Sequence, residues 1–126
     1  MNLRFVTKQI HAYLDYPVAL SLMVMPFLLS LGSLQPMAKW LSVGTGVAAF
    51  TLTLLTDHQL GLFRVLPYSV HLAVDFTVGL VFLIAPILFG FTGLDALFYW
   101  VNGFAVITVV GLHNPETKQE TEWVTA

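Results

Sequence analysis

The chain has 126 residues, of which 57% are hydrophobic, 13% aromatic and only 10% charged, and its mean hydropathy is +0.82. That charge content is less than half of what soluble domains carry, so an ordinary water-soluble fold is excluded. Five Lys plus Arg and a net charge of −2 leave no basic surface for a phosphate backbone, which argues against nucleic acid as a partner. The absence of cysteine removes disulfides, thiolate metal sites and Cys nucleophiles together.

Charged side chains are costly in hydrocarbon, so the gaps between them show where a chain can cross a bilayer. Four gaps are long enough: 16–38 with 23 residues, 40–56 with 17, 76–94 with 19 and 96–115 with 20. They predict an all-α bundle of four transmembrane helices in a single membrane domain. Pro17 disfavours helix at Tyr16, so the first helix is expected to be kinked or to start there. Gly32, Ser33 and Pro36 separate the first two helices, and a connector spanning 57–67 leads to the third, which Pro67 is suited to open. Thr92, Gly93 and Asp95 form the second short turn, where Asp95 reads as a helix cap, and Asn114 with Pro115 ends the fourth helix before a polar tail, 114–126.

Four crossings put both termini and the connector on one side. Arg4, Lys8, Arg64 and Lys118 lie there against Lys39 on the other, which places both termini in the cytoplasm. Trp40, Tyr99 and Trp100 are expected at the opposite interface as an aromatic belt, and His58 and His113 read as interfacial residues.

Sliding the chain against itself by 60 positions without a gap superposes His11 on His71, Asp15 on Asp75, Pro26 on Pro86 and Trp40 on Trp100, within nine identities over the 42 columns from 11 to 52. These residue types are rare here, so the match reads as a duplicated hairpin, with repeats at about 11–52 and 71–112. Each repeat crosses twice, so the two are parallel and related by a pseudo-twofold axis along the membrane normal. Pro26 and Pro86 fall in mid-span and each removes a backbone bond, to the carbonyl of Leu22 or Phe82, which predicts helix kinks. Ala38, Ser42 and Gly46, four apart, form a small-residue stripe that reads as internal packing.

A unit of His-x-x-x-Asp, an apolar run and a mid-helix Pro followed by Leu and small residues resembles the SPW-repeat integral membrane proteins of bacteria. The connector from Leu55 to Pro67, leading into His71 and Asp75, is similar to that of two-copy members, and the resemblance covers about residues 10–112. The signature Ser-Pro-Trp is replaced by Met25-Pro26-Phe27 and Ala85-Pro86-Ile87, so only Pro is kept. The resemblance implies a small bacterial inner-membrane protein and brings no established activity.

In each repeat the His and Asp stand four apart, which on a helix places them on one face about 6 Å apart along the axis. Across a pseudo-twofold axis, His11, Asp15, His71 and Asp75 can converge near the cytoplasmic membrane edge, with Asp57 and Arg64 in the adjoining connector. The simplest role of this cluster is structural, with Arg64 neutralising a carboxylate. Two imidazoles and two carboxylates also suit a divalent metal or a proton relay. Paired imidazoles suit haem as well, but carboxylates are poor neighbours for its propionates. No cofactor is expected on the structural reading.

No Gly-x-Ser-x-Gly elbow, phosphate loop, His-Glu-x-x-His or dinucleotide fingerprint occurs, and the segments outside the spans are too short to build a pocket, so no enzyme is expected. The expected function is a non-enzymatic interaction or assembly subunit, or a small homo-oligomer, in a lipid bilayer. The alternative is a cation- or proton-binding transport protein that uses the His/Asp cluster.

Overall fold

The computed structural model describes residues 6–56, 61–63 and 65–113. These form four helices: α1 (Lys8–Leu28), α2 (Met37–Leu55), α3 (Tyr68–Phe89) and α4 (Gly93–Gly111). Three of them, α2, α3 and α4, are long and apolar enough to cross a membrane. Within each of those three stretches only 22% is buried inside the bundle, so most of the apolar surface faces outward. Four such helices were expected from the gaps between charges. The first is long enough, but His11, Asp15 and Pro17 in its opening turns lower its apolar character.

Pro17 neither starts nor ends α1. The helix begins nine residues earlier, where the Thr7 hydroxyl accepts the Ile10 N–H at 3.2 Å, and it runs on through both Pro17 and Pro26. Helix α3 opens directly after Pro67, its N-cap, and closes on Gly90, whose φ of 70° lets its N–H turn back to Pro86.

Helix α1 packs on α2 and α3 on α4, giving two hairpins. The Ala38, Ser42 and Gly46 stripe is buried within this packing. A Cβ on Gly46 would lie 2.8 Å from the Ala19 carbonyl oxygen, and one on Gly103 would lie 3.0 Å from that of Gly79. The helices therefore approach so closely that only hydrogen fits at either crossing. The Ser42 hydroxyl donates to the Leu22 carbonyl at 2.7 Å, replacing the backbone donor that Pro26 lacks.

Other contacts also recur in pairs. Val6 N–H donates to the Leu112 carbonyl at 3.1 Å, and Leu66 N–H to that of Leu55 at 2.8 Å. Between α1 and α3 these correspondences run 60 positions apart, as from Ala19 to Gly79. Between α2 and α4 they run 57 apart, as from Gly46 to Gly103. The turn before α4 is shorter than the one before α2, which absorbs the difference. The paired contacts of α2 and α4 thus recur at 57 positions rather than at the 60 that superpose Trp40 on Trp100 and Leu52 on Leu112.

The hairpins meet at the end that carries the short turns through an apolar cluster including Leu22, Leu31, Phe82, Phe91 and Tyr99. Tyr99 is fully buried, which removes it from the expected aromatic belt: its ring lies 4.5 Å from Phe82 and 4.8 Å from Phe91, and its hydroxyl donates to the Ala38 carbonyl at 2.7 Å. Trp40 and Trp100 remain exposed. Asp95 does not act as the expected N-cap. It stands in the first turn of α4, after the cap residue Thr92, and its Oδ1 accepts the Gly32 N–H of the other hairpin at 3.1 Å. Gly32 has a φ of 81°, and a Cβ there would sit 2.9 Å from that of Lys39, so this tight turn requires glycine.

Candidate metal centre

At the opposite end, the first turns of α1 and α3 bring His11, Asp15, His71 and Asp75 together. The i, i+4 spacing sets each His beside its own Asp: His11 Nε2 is 3.1 Å from Asp15 Oδ1, and His71 Nε2 is 3.2 Å from Asp75 Oδ2. The pairs also exchange partners across the hairpins, with His11 Nε2 at 2.8 Å from Asp75 Oδ2 and His71 Nε2 at 3.0 Å from Asp15 Oδ2. Each imidazole Nε2 therefore faces both carboxylates. The imidazoles are almost completely buried, at 2% and 1% exposure, and the carboxylates are mostly so, at 12% and 16%.

Four ligand atoms, one from each residue, lie within 4.8 Å of one another. A tetrahedral ion bound at about 2.0–2.1 Å separates its ligand atoms by roughly 3.3 Å. The His–Asp distances, 2.8 to 3.2 Å, differ from that by a few tenths of an ångström, those to Asp75 ending on one oxygen and those to Asp15 on its two different oxygens. The donor set of two imidazoles and two carboxylates fits zinc and similar divalent ions. It does not fit haem, because the carboxylates fill the space between the imidazoles that a porphyrin plane needs.

The hydrogen bonds behind His71 assign its tautomer. Thr56 Oγ1 lies 2.6 Å from the Leu52 carbonyl oxygen and 2.7 Å from His71 Nδ1. Each of these short contacts requires a proton, and the threonine hydroxyl has only one, which goes to Leu52. The other must belong to His71, so Nδ1–H donates to Thr56. Nε2 then carries either a second proton or a lone pair. A lone pair aimed at two carboxylates is repulsive unless a cation stands between them. The centre therefore needs a proton, on an imidazole or on a carboxyl, or a metal ion. A histidine whose outer N–H is fixed by a neighbour is also the usual arrangement at metal ligands.

Two further residues flank the quartet. The Tyr68 ring stacks on His71 with centroids 6.0 Å apart, and His113 lies 5.1 Å from Tyr68 and 6.4 Å from His11. His113, read from the sequence as an interfacial residue, thus lies beside the quartet. It stands 57 positions after Thr56, so the residues beside His11 and His71 hold corresponding places at the ends of α4 and α2. Ungapped comparison hides that relation. Tyr68 was legible in principle, since it precedes His71 by three and so shares its helix face. Asp57 and Arg64, expected beside the quartet, lie outside the described residues, as does His58. Pro26 and Pro86 lie away from the quartet, toward the ends of α1 and α3 that carry the short turns.

Between the quartet and the apolar cluster, all four helices surround a cavity of about 550 Å³. His11, Asp15 and Asp75 form its polar end, and its walls are mainly Val, Leu and Ala. No protein-family model, curated protein or solved structure matches this chain.

Proposed function

We propose that the chain is a non-enzymatic integral membrane protein whose His/Asp quartet binds a divalent transition-metal ion, with protons holding the same centre when the metal is absent. The observation that carries this reading is the bond from His71 Nδ1–H to Thr56, which turns Nε2 toward two carboxylates and makes a central proton or metal ion the stabilising element. An assembly role fits the sequence alone. The convergence of four ligand atoms from two helices moves the weight to cation binding.

The architecture proposed for it is two copies of one hairpin, related by a half-turn about the membrane normal, as in the SPW-repeat family. Supporting this are the exchanged His–Asp pairs, the matching bonds of Val6 and Leu66, and the glycine crossings at Gly46 and Gly103. The bond between Val6 and Leu112 brings both described ends together, which agrees with termini on one side, here proposed as the cytoplasmic side of a bacterial inner membrane. The outward apolar surface faces lipid.

Metal analysis of the protein in lipid nanodiscs, after exposure to zinc and dialysis, tests the reading. About one zinc per chain is expected, and Asp75→Asn is expected to weaken binding by about 100-fold or more. Binding should also weaken as pH falls, because protons and metal compete for the same Nε2 lone pairs. Failure of the unmodified protein to retain zinc, cobalt or manganese would overturn the proposal.

A further inference from the structure

We infer that the central cavity is a second binding site, for a single-chain amphiphile whose head group is a hydrogen-bond donor, such as a protonated amine or a hydroxyl. The cavity's volume of about 550 Å³ falls in the roughly 300–1,000 Å³ range of small-molecule sites. Small side chains create the space: Ala48 and Ala49 on α2 face Ala105 on α4 across it, where larger residues would fill the gap. Its body suits hydrocarbon, and a bilayer supplies hydrocarbon chains at high concentration.

The polar groups decide the head. Thr45 donates its hydroxyl proton to the Leu41 carbonyl at 2.7 Å and Thr53 donates to Ala49 at 2.8 Å, so both turn only oxygen lone pairs to a guest. The Asn102 amide donates to the Phe98 carbonyl at 2.8 Å, which fixes its orientation and leaves Oδ1 as an acceptor with a single N–H to spare. At the quartet end stand the Asp15 and Asp75 carboxylates and His11, whose Nε2 is turned to both of them. With the spare Asn102 N–H and the His11 imidazole as its only donors among these groups, the lining offers more acceptors than donors. A donor head satisfies the acceptors, and a cationic one also complements the carboxylates, whereas a carboxylate or ester head brings only further lone pairs.

The test uses chelator-treated protein in nanodiscs with alanine methyl groups labelled, so that the outcome is independent of metal binding. Dodecylamine, dodecanol, dodecanoate and dodecane are titrated in turn. Saturable shifts of the Ala48, Ala49 and Ala105 methyl signals are expected with the amine and the alcohol, at concentrations about tenfold or more below those needed for dodecanoate. In Ala105→Phe, which fills the cavity, the saturable shifts at Ala48 and Ala49 should vanish. The proposal is overturned if no probe gives a saturable shift, if dodecanoate or dodecane binds as well as dodecylamine, or if filling the cavity leaves the shifts unchanged. The titration of the unmodified protein decides the matter by itself should the filled variant not fold.

Discussion

The two ends of the bundle join the same pair of hairpins by opposite means. At the end with the short turns, Tyr99, Phe82, Phe91 and Leu31 interlock, and three hydrogen bonds cross between hairpins: Tyr99 to Ala38, Gly32 to Asp95, and Gln35 to Phe89 at 3.2 Å. At the other end the principal link is the exchange of two histidines between two aspartates. Close apolar packing requires no ion and tolerates changes of pH. Facing carboxylates hold only while protons or a metal sit between them. One end is thus a fixed joint and the other a joint whose strength depends on what occupies it.

Breaking the fixed joint should have the largest effect. Tyr99→Ala removes a fully buried ring and the bond to Ala38, and is expected to destabilise the protein by about 3–5 kcal/mol, read from denaturant unfolding in detergent with and without zinc. The loss should be the same in both, because the damage is remote from the quartet. Thr56→Val sharpens the contrast at the other end. It leaves the bulk in place but removes the acceptor for His71 Nδ1–H, and should lower zinc affinity by about 10- to 100-fold, while the unpaired N–H should also cost the metal-free protein about 1–3 kcal/mol. An unchanged affinity would mean that the imidazole is held by packing alone.

The smallest effect is expected within one hairpin. Ser42→Ala leaves the buried Leu22 carbonyl without its donor and should cost about 1–3 kcal/mol. In a Pro26→Ala background the restored backbone N–H can bond to Leu22, so the same substitution should cost appreciably less. Equal costs in both backgrounds would show that the serine does not compensate for the proline.

How much of this was legible varies by element. The spacing of His11 to Asp15 and of His71 to Asp75 placed each pair on one helix face, and the repeated residues suggested that the pairs would meet. Gaps between charges located the four helices but missed the start of α1, because a helix can carry His and Asp in its opening turns when another helix answers them. The correspondence of Gly46 with Gly103 and of Thr56 with His113 required a three-residue gap in the alignment, and Trp40 with Trp100 favoured the ungapped register instead. Tyr99 was misread since an aromatic residue beside Trp100 has the composition of a membrane interface, and only the neighbouring hairpin shows that its ring is enclosed.

By itself the sequence determined that the chain is helical and apolar, that its two halves share a pattern, and that each half carries one His/Asp pair, because local spacing and hydropathy depend only on nearby residues. The tertiary structure decided that the pairs exchange partners, that Thr56 fixes a tautomer, and that a cavity is left between the hairpins. Those properties belong to distances between residues 15 to 64 positions apart, which folding alone sets.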